Sequence, residues 1–112
     1  MLKRNPAEGR LVDRVVKRLK VAYHPTRIII FGSYAQGRAT AESDLDVLIV
    51  KATPASFHRR LFEVRRLVSP VLRGHPFDPI VITPRELRQR LAKGDGFLRG
   101  ILRTGRVVYE AN

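Results

Sequence analysis

A chain of 112 residues with 22 Lys and Arg against 10 Asp and Glu carries a formal charge of +12. That length suits one domain able to bury roughly two-thirds of its unfolded surface, with no room for a second. The absence of cysteine excludes disulfides and thiolate zinc sites. No signal peptide or membrane-length apolar run is visible, so the cytoplasm is the expected compartment and a membrane partner is not expected.

The basic residues are mostly arginine, with lysine only at Lys3, Lys17, Lys20, Lys51 and Lys93. The planar fork of arginine suits phosphates and carboxylates. So basic a surface implies an acidic partner: a nucleotide, a nucleic acid or an acidic protein chain. A solvated surface that happens to use arginine explains the same composition.

Residues 1–5 read as a loose basic start. Asn5-Pro6-Ala7-Glu8 predicts a helix start, with Asn5 as cap, Pro6 at the first helical position and Glu8 reaching back. Leu11, Val12, Val15, Val16, Leu19 and Ala22 form one apolar face at helical spacing, with Tyr23 at its end. Arg10, Arg14, Lys17 and Arg18 occupy the other face, which reads as solvated or as a docking surface. His24-Pro25-Thr26 ends the helix, and His24 reads as a loop residue.

Ile28–Phe31 is an unbroken apolar run, as expected of a strand buried on both faces. Gly32-Ser33 then opens a short helical turn whose backbone N–H groups can hold an anion. The chain returns as Asp44-Leu45-Asp46-Val47-Leu48-Ile49-Val50, a second strand. Side chains alternate along a strand, so Asp44 and Asp46 share a face about 6.6 Å apart. That spacing lets both carboxylates grip one pair of divalent metals. A carboxylate in so apolar a strand is costly unless paired or metal-bound, and Asp46 carries most of that cost. The plainer alternative is a Gly-Ser turn followed by solvated acids at a strand start.

Lys51-Ala52-Thr53-Pro54 turns the chain, with Thr53 as cap and Pro54 at the first position of a second helix. Its expected apolar face includes Phe57, Leu61, Phe62, Val64, Leu67, Val68 and Val71, with Arg59, Arg60, Arg65 and Arg66 towards the outside. His58 among them reads as surface rather than ligand. Ser69-Pro70 ends or kinks this helix. After the loop Arg73-Gly74-His75-Pro76 comes a third strand, Phe77–Ile82. Pro79 lacks an N–H and puts this stretch near a sheet edge; it also holds Asp78 extended. Asp78 alternatively starts a turn. Thr83-Pro84-Arg85-Glu86 is a capping box opening a helix to Lys93. Gly94-Asp95-Gly96 is a turn. Phe97, Leu98, Ile101 and Leu102 suggest a further helical segment interrupted by Gly100. Thr104-Gly105 leads into a final strand, Arg106–Tyr109.

Gly32-Ser33, the ten residues Tyr34 to Ser43, and then Asp44-Leu45-Asp46 resemble the signature of the nucleotidyltransferase superfamily that includes DNA polymerase beta. The closer resemblance is to its smallest members, the minimal nucleotidyltransferases, and it spans roughly residues 10–110. It implies an α/β (α+β) fold, a mixed β-sheet of about four strands packed by helices. It also implies transfer of a nucleoside monophosphate, AMP from ATP first of all, to an acceptor. By the same resemblance Asp44 and Asp46 hold two Mg2+ ions. Asp78, as the third carboxylate on a neighbouring strand, ligates the metal nearest the acceptor and helps deprotonate its hydroxyl. Gly32 and Ser33 would hold the leaving phosphates, with Arg38 adding charge.

One departure stands out. The family commonly reads Gly-Ser-x-Ala-Arg-Gly, and Gln36 occupies the place of its arginine. Arg38 faces a different direction on a helical turn, so triphosphate binding is the step most exposed to this change. Small relatives are paired with a separate helical partner, often a HEPN-domain toxin, act as its antitoxin and can attach AMP to a tyrosine of it. The resemblance therefore implies a HEPN-type partner protein, with a homo-oligomer also open. Two other readings remain: a weak or inactive subunit of the same fold that binds a partner, and a basic nucleic-acid binder. Without a reading helix or an interleaved aromatic platform, the last is disfavoured.

Overall fold

Helices and strands are interspersed along residues 6–112, the residues that this computed structural model describes. The Asn5 cap and the Glu8 side chain lie outside them. Helix α1 is Pro6–Ala22, beginning at the expected proline. Strand β1, Arg27–Phe31, runs into a single 3₁₀ turn at Gly32–Tyr34, and β2 is Leu45–Val50. Then follow α2 (Phe57–Leu72), β3 (Phe77–Ile82), α3 (Pro84–Ala92), α4 (Gly96–Thr104) and β4 (Arg106–Glu110).

The strands form one mixed sheet in the order β3-β2-β1-β4. β1 pairs antiparallel with both β2 and β4, while β2 and β3 are parallel, as a helical crossover through α2 requires. Pro79 therefore sits on an edge strand, where its missing N–H costs little.

The central strands β1 and β2 bury both faces. Val47 and Ile49 of β2, with Ile28 and Ile30 of β1, pack against Leu11, Val12, Val15 and Leu19 of α1 and Val64 and Val68 of α2. Leu48 and Val50, with Ile29, pack against Leu87 of α3 and Leu98 and Ile101 of α4. The result is a sheet between two helical layers. Each fully buried Ile or Leu contributes about 1.5–3 kcal/mol relative to exposure, and the central strands supply a dense set of them. Among the described residues no helix is long and apolar enough to cross a membrane.

Four local expectations change. Helix α2 starts at Phe57 with Ser56 as cap, its hydroxyl accepting from the Arg59 amide, rather than at Thr53-Pro54. The Thr53 hydroxyl instead accepts from the Ala55 amide, a local turn that competes with helix. Pro70 lies inside α2, which continues to Leu72. Gly100 likewise lies within a continuous α4, capped by Asp95. The inward stripe of α2 is Arg60, Val64 and Val68, one residue every four. Phe57 and Phe62, expected inside, are each 55% exposed, whereas Arg60, expected outside, is 8% exposed.

Arg60 is tolerated inside because its donors are used. Its guanidinium meets Glu86 at 2.7 and 3.2 Å, and its Nε donates to the Ala55 carbonyl at 2.9 Å. Glu86 also accepts from the Thr83 amide and completes the expected capping box. These bonds, that to Arg60 foremost, hold the Glu86 carboxyl down at about 2.

Candidate active site

Alternation along the strands decides which side chains meet. Leu45, Val47 and Ile49 turn towards α1 and α2, so Asp46 turns to the opposite face, with Leu48 and Val50. On β3, Phe77 and Val81 turn one way and Asp78 the other, with Ile80 and Ile82. The parallel register sets Asp46 directly beside Asp78. On the other flank Phe31 pairs with Asp46. Asp44 precedes β2 by one residue and is exposed, as is Asp78, while Asp46 is half-buried. The three acids therefore come together where β2 and β3 begin.

Their charges are felt at Asp46. Burial pushes its carboxyl up from the ordinary value, and the carboxylates of Asp78 and then Asp44 push it further the same way. Among the described residues no group of three or more His, Cys, Asp or Glu side chains is placed to hold a metal ion by itself. The donor set nevertheless suits magnesium, which prefers oxygen ligands, keeps several waters and needs few carboxylates. Crowded like charges are what a cation at this edge would relieve.

The glycine turn meets the carboxylates. Gly32 adopts φ +70, and a Cβ there would collide with Asp46 Oδ2. Only glycine lets the backbone approach so closely in that conformation. The Gly32 carbonyl accepts from the amides of Ala35 and Gln36, and the Ser33 carbonyl from that of Arg38. No side chain caps the start of the turn, whose first amides have no partner within a helix. The Gly32 backbone thus stands beside Asp46, with Ser33 next to it in the chain. Arg38 is exposed and bonds Gln36, the residue in the place of the family's arginine, rather than turning to the carboxylates.

Two further pairs belong to this end of the sheet and escaped the sequence. Tyr34, next to Ser33, is 3% exposed, and its hydroxyl shares a 2.9 Å hydrogen bond with His75 Nε2. The Leu45 amide donates to the Pro76 carbonyl at 3.0 Å. Together they tie the glycine turn and the start of β2 to the segment leading into Asp78. No sequence pattern marks a Tyr–His pair so far apart. A groove of about 700 Å3 between α1 and β4 is lined by none of the three acids.

A family model described as a nucleotidyltransferase domain matches residues 10–102. A stretch of 45 residues is 47% identical to a candidate protein adenylyltransferase of Methanocaldococcus jannaschii, covering 38% of this chain and 45% of that protein. The chain thus spans less than half the length of this curated relative. The fold is similar to a crystal structure of a candidate nucleotidyltransferase from Sulfolobus solfataricus, with TM-score 0.56 and 20% identity over 90% of this chain and 78% of that one. It is also similar to a toxin-antitoxin solved with AMP-PNP, with TM-score 0.62 and 20% identity over 89% and 73% of the two chains. A mutant of the toxin-antitoxin MntA-HpeT gives TM-score 0.55 and 19% identity over 90% and 73%.

Proposed function

Because the chain belongs to the nucleotidyltransferase domain family, we propose that it transfers AMP from ATP to a hydroxyl of a partner protein, in the manner of a minimal nucleotidyltransferase antitoxin. The observation that carries this reading is the register of Asp46 beside Asp78, with the Gly32 backbone against Asp46. A phosphate held by the turn would lie next to the carboxylates.

The acceptor oxygen attacks the α-phosphorus, the bond from that phosphorus to the bridging oxygen breaks, and pyrophosphate leaves with the electron pair. Asp78, exposed and on the outer strand, takes the proton of the acceptor hydroxyl. Asp44, Asp46 and Asp78 are the residues that would hold Mg2+, which when bound neutralises phosphate charge and steadies attacking and leaving oxygens. Ser33 and the Gly32–Ser33 amides bind the leaving phosphates. The basic surface draws the triphosphate in from solution. Similarity to toxin-antitoxin structures and to a candidate protein adenylyltransferase supports a HEPN-type helical partner as acceptor.

Gln36 favours a second reading. With Arg38 bonded to Gln36, triphosphate binding lacks the family's usual arginine, and the chain would serve as a partner-binding subunit. Thermal unfolding with and without ATP and magnesium separates the two. Ligand at about a hundred times its dissociation constant adds roughly 2.7 kcal/mol, enough to raise the midpoint by several degrees at this size. The expected result is a magnesium-dependent rise in wild type that Asp46→Asn abolishes, followed by transfer of labelled AMP to a co-purified partner. No rise with any of the four triphosphates would leave the subunit reading standing.

A further inference from the structure

The acids occupy only part of their end of the sheet. Beside them lies a slot of about 290 Å3, lined by Phe31, Gly32, Gly96, Phe97, Gly100, Ile101 and Thr104. We propose that this slot is the nucleobase subsite of the triphosphate, taking a purine ring by stacking. The proposal rests on the reading of the carboxylates and glycine turn as a nucleotide site.

Position is the first argument. Gly32 lines the slot and also abuts the Asp46 carboxylate. Phe31, at the slot wall, is paired with Asp46 across the sheet and lies on the same face. A ring seated there ends at the turn proposed to hold its phosphates. At 290 Å3 the slot falls just below the usual range for a whole drug-sized ligand, about 300–1,000 Å3, and suits one ring system.

Chemistry is the second. Phe97 is 58% exposed, although its neighbours Leu98 and Ile101 in α4 are buried. Its ring meets Phe31 edge-on, with centroids 6.1 Å apart and planes at 87°. A large exposed aromatic face beside a phosphate site is a stacking platform for a base.

The glycines are the third. Gly96 and Gly100 stand one helical turn apart on the slot side of α4. A Cβ at either would meet nothing within 4 Å, so packing does not require glycine. Gly100, inside the helix, is a poorer helix former than alanine would be. The space that these two residues leave open is the slot itself.

The slot also implies how selective the site is. The side chains lining it are apolar apart from Thr104, whose hydroxyl donates to the Gly100 carbonyl at 2.8 Å. Little is left to read the edge of a base, so stacking area, and with it purine over pyrimidine, should set the preference.

The test is calorimetric titration with ATP, GTP, CTP and inorganic tripolyphosphate, each with magnesium, on wild type, Phe97→Ala and Gly100→Leu. Circular dichroism checks that the variants fold. Wild type should bind ATP and GTP within about threefold of each other and more tightly than CTP or tripolyphosphate. Both variants should lose about tenfold in ATP affinity, as removal of a stacking platform does, with tripolyphosphate unchanged. Unchanged ATP affinity in folded variants overturns the subsite and leaves the phosphate site standing. Parallel loss of ATP and tripolyphosphate overturns it too, since α4 would then support the turn and not the base. Binding of neither probe to wild type overturns the nucleotide reading, and the subsite with it.

Discussion

The two ends of β3 handle charge in opposite ways. Near its C-terminal end Arg60 and Glu86 form a closed ion pair, each group also bonded to backbone. Near its N-terminal end Asp78 stands beside Asp46 with Asp44 close by, and no described cation answers them. Opposite charges that satisfy one another stabilise a fold. Like charges crowded on one face oppose it, and they persist where a ligand of the other sign completes them. The difference separates a residue cluster that holds the structure from one proposed to serve the reaction.

The largest test of this contrast is Arg60→Ala. Losing one partner of a buried pair leaves the other uncompensated, which costs about 3–5 kcal/mol when both are buried. Glu86 is 41% exposed and recovers some hydration, so about 2–3 kcal/mol is expected in urea unfolding. Magnesium-dependent ATP binding by the folded fraction should be retained. If Arg60→Ala is neutral, the pair is not what holds α2 to α3.

Acid titration reads the same pair through Glu86. Its carboxyl is lowered from 4.5 to about 2. A lowered acid contributes stability that is fully present above the unfolded value, near 4.5, and is lost as pH falls through about 2. The side chain is partly exposed, so screening reduces the contribution to about 1–2 kcal/mol. Wild type should lose that increment between pH 4.5 and 2, and Glu86→Gln should not.

Tyr34→Phe gives a smaller effect at the other end. It removes the hydrogen bond to His75 and keeps the ring. A loss of about 0.5–1.5 kcal/mol is expected, seen as a few degrees in melting midpoint. Nucleotide transfer should fall more than this stability loss explains, because the bond ties Ser33 to the approach to Asp78. Equal melting curves with unchanged transfer would remove Tyr34 from that role.

The smallest change should have the reverse sign. In metal-free buffer at pH 7, Asp46→Asn removes a carboxylate that burial and its neighbours disfavour. Stability should stay level or rise by less than about 1 kcal/mol, while magnesium no longer stabilises the variant. A substantial loss would mean that Asp46 supports the fold as well as the site.

Much of this was legible before folding. The Pro6 helix start, the Thr83–Glu86 capping box and the strand Phe77–Ile82 follow from local chemistry, and each was found as expected. The carboxylates and the Gly-Ser turn were legible from spacing, because alternation along a strand fixes which side chains share a face. Arg60 was not. Helical spacing puts it in the stripe with Val64 and Val68, but a charge reads as outward until its partner, 26 residues on, is known. The wrong start of α2 has a local cause, since Thr53 and Ser56 are both residues that can cap and only Ser56 does.

The sequence by itself determined the order of elements, both buried faces of the central strands and the turn that brings glycine to the acids, since all of these depend on neighbours along the chain. Tertiary structure decided what lies far apart in sequence and close in space. It set Asp78 in register with Asp46 through the crossover of α2, and it joined Tyr34 to His75 across 41 residues. It left no space for a side chain at Gly105, where α4 presses on β1, and it opened the slot between Phe31 and Phe97. Register and packing depend on how whole elements meet, and a residue's own neighbours in the chain do not carry that information.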